Sequence, residues 1–177
     1  MSNAKETFLV SIQDAEELLQ YYDQLNAGRE GAGRDPEVLK RAALIMTLTA
    51  WETYVEDRIE EEMKARLKSL DGSHVAKFIQ EKLEKELKFF HNPNSQKTKQ
   101  LFETYLGTDV TEHWQWLNFD VERSRETLNS WIKKRGEAVH RSVTDKQSSH
   151  LVRKNDMKKC IGFFRELVCA TDRALEA

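Results

Sequence analysis

Apolar residues recur every three or four positions along most of this chain, and this spacing limits the folds open to it. The repeat is that of an α-helix with one face turned to a core, and no stretch shows the alternation typical of a β-strand. The 177 residues include only 2 prolines and 7 glycines, so there are few points at which long helices must end. We therefore predict an all-α bundle of about five to six helices in a single domain.

Capping and turn residues indicate where these helices begin and end. The predicted helices span residues 6–25, 36–70, 74–90, 95–106, 120–139 and 155–175. We expect five residues of the third helix to face the core: Val75, Phe78, Ile79, Leu83 and Leu87. The connection 108–118 carries Trp114 and Trp116, which could stack on nucleic-acid bases but fit a core better. We expect a mobile link at 141–154, and we give residues 2–4 no structural weight.

A charged residue stands in the apolar stripe of the fifth helix. Around Arg135, the stripe consists of Val121, Leu128, Ile132 and Val139. Arg135 stays charged at any accessible pH, so it either pairs with a carboxylate or faces a wet cleft that an anion can enter. Glu52 occupies a similar place in the second helix, in a stripe formed by Ile45, Leu48, Val55, Ile59 and Met63. Glu52 could pair with Arg135 across the two helices, or reach a nearby hydroxyl or solvent.

His140 follows Arg135 by five residues and is the side chain whose charge changes most readily near neutral pH. The two positions lie about 140° apart on an unbroken helix and would not share a face. Gly136 lies between them and could loosen the turn. A combined Arg/His site therefore needs a helix that ends near Val139, or a second copy of the motif facing the first.

Charge is distributed unevenly along the chain. The net charge is −2, yet residues 131–159 carry +6, so the remainder carries −8. This asymmetry favours an anionic ligand near Arg135. An acidic run at 56–62 is expected to be a solvated face. The five histidines form no metal-binding spacing, no nucleophile motif occurs, and we predict neither metal nor cofactor.

The cysteines and the apolar segments help to predict the cellular compartment of the protein. Cys160 and Cys169 are nine residues apart in one predicted helix, about 13 Å along its axis, which is too far for a disulfide. No segment reads as a signal peptide or a membrane span. We therefore expect a cytoplasmic protein that does not enter the membrane.

The chain resembles the HEPN superfamily (higher eukaryotes and prokaryotes nucleotide-binding). Residues 135–140, Arg-Gly-Glu-Ala-Val-His, match its R-x4–6-H signature. Residues 49–56, 91–94, 101–102 and 106–107 are similar to the branch found with RiboL-PSP-type proteins, and the resemblance is clearest over 40–172. It implies an all-α homodimer in which the Arg/His motifs of two chains converge on one cleft.

The same resemblance implies a metal-independent endoribonuclease, either a toxin or a defence protein with a cognate antitoxin or inhibitor. His140 would transfer protons, Arg135 would hold the scissile phosphate, and Glu52 would orient Arg135. Three further cations would track the RNA backbone: Lys133, Lys134 and Arg141.

Two alternatives stay open. The residue after the motif arginine is commonly Asn, Asp or His in the family, and here it is Gly136. This departure favours a catalytically inactive HEPN module that binds RNA, nucleotide or a protein partner. In a third interpretation the Arg135–Glu52 pair only fixes helix register in an interaction protein.

Overall fold

The computed structural model describes residues 1–27, 36–140 and 152–176, except for the side chain of His140. In these residues the chain forms six α-helices: α1 Asn3–Asn26, α2 Glu37–Leu67, α3 His74–Leu87, α4 Ser95–Leu106, α5 Val121–His140 and α6 Lys154–Glu176. Short 3-10 helices cover Lys68–Leu70 and Val110–His113. The described residues contain no β-strand, only an isolated bridge between Trp116 and Phe119. The all-α prediction is confirmed.

Helix α2 is the centre of the bundle and contacts each of the other five helices. Its aromatic residues lie at the middle of the core, where Trp51 stacks on Tyr54 and meets Trp114 edge-on. Because neighbours surround α2, it buries more than the single predicted stripe. Trp51 and Tyr54 are fully buried, whereas Ile45, which we predicted to face inward, is only partly buried.

A buried ion pair connects α2 to α6. Arg58 Nε donates to Asp172 Oδ1 at 3.0 Å, and Arg58 Nη1 donates to Glu62 Oε1 at 2.6 Å. Asp172 also accepts from the backbone N–H and the hydroxyl of Ser2. Burying these charges is tolerated because each one has a partner. The network therefore fixes α1 and α6 against α2.

The start of α1 corrects our prediction. The helix begins at Asn3, not at residue 6, and the Ser2 hydroxyl caps it by accepting from Lys5 N at 3.1 Å. Glu61 of α2 accepts from the first two N–H groups, those of Asn3 and Ala4. Residues 2–4 are thus part of the fold, and giving them no weight was wrong.

Helix α3 also differs from the prediction. It ends at Leu87, three residues early, and the predicted inward residues Val75 and Phe78 are 57% and 68% exposed. Because α3 packs on little besides α2, its buried stripe is narrow. That stripe consists of Ala76, Ile79, Leu83 and Leu87, with Ile79 only partly buried.

The other elements agree better with the sequence. Helix α4 has the predicted bounds, and Gly107 ends it with a left-handed backbone, φ 71°. Trp114 is fully buried, and its Nε1 donates to Thr171 Oγ1 at 2.9 Å, so the core interpretation of this residue is confirmed. Val139 is the exception, since it is 48% exposed instead of facing inward.

Within the described ranges, no helix combines the length and the hydropathy needed to cross a bilayer. Cys160 and Cys169 are both free thiols. The predicted mobile link at 141–154 falls mainly on residues 141–151, which lie outside the described residues.

Candidate functional site

Glu52 and Arg135 meet where α2 and α5 are packed together. Arg135 Nη1 donates to Glu52 Oε2 at 2.9 Å, and the two side chains are 19% and 17% exposed. The predicted contact is therefore confirmed, although its role in function remains a prediction. The pair is neither sealed in the core nor free in solvent, so a ligand can reach it while its charges still interact strongly.

Asn92, in the loop between α3 and α4, is a third member of this site. Its backbone N–H donates to Glu52 Oε2 at 2.9 Å, and its side-chain Oδ1 accepts from Arg135 Nη1 at 2.9 Å. Its φ of 54° is left-handed, a conformation that asparagine tolerates better than most residues. In this conformation Asn92 contacts both members of the charged pair, Glu52 and Arg135.

His91 completes the cluster around the carboxylate. Its Nδ1 lies 3.5 Å from Glu52 Oε1, the oxygen that the arginine does not use. The imidazole is 67% exposed, so solvent or a ligand can reach it. Glu52 therefore stands between a guanidinium and an imidazole, with one oxygen toward each.

Several hydrogen bonds hold this loop in place. Trp51 Nε1 donates to the carbonyl of Pro93 at 3.0 Å, and Lys97 Nζ donates to the carbonyl of His91 at 2.6 Å. Asn129 of α5 bonds Ser95 twice, accepting from its N–H and donating to its hydroxyl. The site is thus built from α2, α5 and a loop tied to both helices.

Glu56 lies one helical turn after Glu52 on α2. Burial raises the pKa of the Glu56 carboxyl to about 7, with a smaller contribution from the negative charge of Glu52, while His91 acts in the opposite direction. The acidic run to which Glu56 belongs is partly buried, and Glu61 and Glu62 bind α1 and Arg58. Our prediction of a simply solvated face was wrong.

Helix α5 carries the rest of the motif. It runs without interruption through Gly136 and ends at His140, close to the predicted end. On a continuous helix, positions 135 and 140 stay about 140° apart, so Gly136 does not bring them onto one face. The side chain of His140 lies outside what the structure describes.

The three predicted RNA-binding cations have different surroundings. Lys133 is exposed on α5. Lys134 places its Nζ 4.4 Å from the centre of the Trp131 ring, a cation–π contact that keeps the ammonium at the surface of α5. Arg141 lies outside the described residues.

Sequence reasoning missed two members of this site, His91 and Asn92. From the sequence we interpreted residues 91–94 only as part of the family resemblance, not as ligands of Glu52. A histidine and an asparagine next to a proline are common in surface loops, so the residue types alone gave little signal. What makes them functional candidates is the packing of the loop against α2, which no local pattern encodes.

Within residues 1–27, 36–140 and 152–176, no three His, Cys, Asp or Glu side chains are grouped so that they could hold a metal ion. The polar groups at the site are instead a guanidinium, a carboxylate, an amide and an imidazole, a set suited to binding an anion and moving protons.

The fold and site together define a class: an all-helical bundle with an arginine–carboxylate pair at a helix junction and a histidine five residues after that arginine. The chain matches the RiboL-PSP-HEPN family over residues 10–177, and it belongs to that family. The predicted superfamily and branch are confirmed. Neither the curated proteins nor the solved structures gave a match. Membership indicates a nuclease or RNA-related role in general terms.

Proposed function

We propose that this protein is a metal-independent endoribonuclease of the HEPN type. The observation that carries the proposal is the Arg135 guanidinium, held by Glu52 and Asn92 in a partly exposed position. Both of these hydrogen bonds use Nη1, and neither uses Nε or Nη2. These two nitrogens form one edge of the guanidinium, and that edge can bind two phosphate oxygens side by side. An oriented guanidinium of this kind can bind a scissile phosphate and stabilise the charge of its transition state.

RNA supplies the nucleophile for such a reaction. The 2′-hydroxyl attacks the adjacent phosphorus, a 2′,3′-cyclic phosphate forms, and the bond to the 5′-oxygen breaks. His140 transfers a proton in this step, because an imidazole is suited to proton exchange near neutral pH. Lys133, Lys134 and Arg141 bind the flanking phosphates, which makes association sensitive to salt. DNA has no 2′-hydroxyl and is not cut.

We also propose that the active form is a homodimer. Positions 135 and 140 do not share a face of α5. A single chain therefore does not bring the two motif positions to one side of the helix. A second copy can bring its own His140 to the Arg135 of the first. Molecular mass in solution tests this proposal, and mixed dimers of Arg135→Met and His140→Ala chains should regain part of the activity.

Incubation of the purified protein with structured RNA in EDTA tests the nuclease function. We expect cleavage by the wild type and by His74→Ala, a control in which an exposed histidine is removed from the far end of α3. His140→Ala should lose at least about 100-fold in rate. Absence of cleavage by the wild type in EDTA, or equal rates for wild type and His140→Ala, would refute this function.

A toxin or defence role, with a cognate antitoxin or inhibitor, belongs to the same proposal. An unrestrained endoribonuclease damages the RNA of its own cell. Induced expression of the wild type should therefore arrest growth, and expression of Arg135→Met should not. Equal growth of the two strains at equal protein levels would contradict the toxin role while leaving the enzymatic activity to be judged in vitro.

The alternative function is a catalytically inactive module that binds RNA, nucleotide or a protein partner. The observation in its favour is Gly136, which gives the site no side chain where the family commonly has a polar one. A Cβ added at Gly136 would meet no atom within 4 Å, so nothing else fills that space among the described residues. This alternative predicts salt-dependent RNA binding that is lost in Arg135→Met, with no product formed at any time.

A further inference from the structure

We propose that His91 is a second proton-transfer group of this site, donating the proton that the leaving 5′-oxygen requires. This inference rests on the proposed endoribonuclease function and assigns a role that the sequence motif does not contain. Cleavage through the 2′-hydroxyl needs one group to accept a proton and another to donate one. The R-x4–6-H motif places one histidine in each chain, and His91 supplies another imidazole next to Glu52, the carboxylate that holds the motif arginine.

The position of His91 is set by the carboxylate that also holds the arginine. Glu52 directs Oε2 to Arg135 at 2.9 Å and Oε1 to His91 Nδ1 at 3.5 Å. A carboxyl group is only a few ångströms across, so the imidazole and the guanidinium lie on either side of one anion. Asn92, the next residue, bonds both Glu52 and Arg135 and so fixes the backbone that carries His91.

The contact with Glu52 also distinguishes the two ring nitrogens of His91. A carboxylate facing Nδ1 favours a proton on that nitrogen and leaves Nε2 as the nitrogen that exchanges a proton with a ligand. The side chain is 67% exposed, while the backbone carbonyl of His91 is held by Lys97 Nζ at 2.6 Å. An exposed imidazole on an anchored backbone, with one nitrogen facing a carboxylate, is expected of a proton donor to a bound substrate.

The reaction balances without a further reactant. His140 takes the proton of the 2′-hydroxyl as the bond from that oxygen to phosphorus forms. His91 Nε2 gives a proton to the 5′-oxygen as the bond from phosphorus to that oxygen breaks. The products are a 2′,3′-cyclic phosphate and a free 5′-hydroxyl, and one proton has passed from His91 to product while another has passed to His140. Exchange with solvent restores both histidines.

Glu56 is the competing candidate for this role. It lies one turn from Glu52, and burial raises its pKa to about 7, so it can carry a proton at neutral pH. The described structure gives its carboxyl no hydrogen bond to Glu52 or Arg135, whereas His91 contacts Glu52 directly. The geometry therefore favours His91, and a Glu56→Gln variant provides the comparison.

Two substrates separate a proton donor from a residue that only positions others. One is an RNA oligonucleotide, whose leaving 5′-oxygen needs a proton. The other is a nucleoside 3′-(4-nitrophenyl phosphate), whose leaving group departs without one. We expect His91→Ala to lose at least about 100-fold in kcat/KM on RNA and less than about 3-fold on the aryl ester. His74→Ala should match the wild type on both, and thermal melting should show each variant folded.

The outcomes distinguish this inference from the function on which it rests. Equal losses on the two substrates would overturn the inference and make His91 a positioning residue, with the nuclease function intact. If Glu56→Gln loses activity on RNA alone and His91→Ala loses none, the proton donor is Glu56 and not His91. If the wild type cleaves neither substrate, the nuclease function fails first and the inference fails with it.

Discussion

The contact between Arg135 and Glu52 should contribute modestly to stability and strongly to function. Exposed ion pairs contribute about 0.2–1 kcal/mol, and losing one partner of a fully buried pair costs about 3–5 kcal/mol. With side chains 19% and 17% exposed, this pair lies between these limits. Arg135→Met keeps most of the apolar stem, and Glu52 still accepts from the Asn92 N–H. We therefore expect a loss of about 1–2 kcal/mol and a fall in Tm of about 2–8 °C.

Thermal melting of a double-mutant cycle measures this value. The cycle consists of wild type, Arg135→Met, Glu52→Gln and the double variant, and we expect a coupling energy of about 1 kcal/mol. Arg173→Met, which removes an exposed arginine from α6, is the matched control and should change Tm by less than about 2 °C.

Two results would refute this reasoning. Additive effects in the cycle would mean that the contact does not form in solution. A loss above about 4 kcal/mol in Arg135→Met would mean that the pair mainly fixes α5 on α2, as in the third interpretation of the sequence. In that case any loss of RNA cleavage would follow from unfolding and would say nothing about phosphate binding.

Three further predictions concern the rest of the bundle. Asp172→Asn should lower the free energy of unfolding by about 2–4 kcal/mol, because Arg58 keeps only Glu62 as a carboxylate partner. Urea titration measures this free energy, and a loss below about 1 kcal/mol would contradict the prediction. Gly136→Ala should raise Tm by about 1–4 °C, because α5 is helical there and the Cβ meets no atom; a lower Tm would be contrary evidence. Glu56 has a raised pKa of about 7, so the native state holds its proton more tightly and the Glu56 contribution to stability falls as pH rises from about 4.5 to 7. Glu56→Gln should therefore gain stability over wild type at pH 8 but not at pH 4, and a constant difference across that range would count against it.

Much of the fold follows from local sequence. The helical repeat predicted all six helices, and the structure shows Asn94 and Gly107 capping the two ends of α4. Periodicity failed where the number of neighbours mattered. It assigned too little burial to α2, which is surrounded, and too much to α3, where Phe78 remains exposed.

The site was only partly accessible to the same reasoning. A charge within an apolar stripe requires a partner, and for this reason the sequence alone offers Glu52 as a partner of Arg135. It could not identify His91 or Asn92, because their contacts depend on how a loop lies on α2. The network around Asp172 was missed for a related reason, since Ser2 and Arg58 are more than 100 residues from it in sequence.

The single-turnover rate of RNA cleavage by Arg135→Met, measured in EDTA on protein shown to be folded, tests the central claim most directly. If the guanidinium held by Glu52 binds the reacting phosphate, this rate should be at least about 100-fold below that of the wild type, with 2′,3′-cyclic phosphate ends on the wild-type product. A folded variant that cleaves RNA at the wild-type rate would contradict the claim.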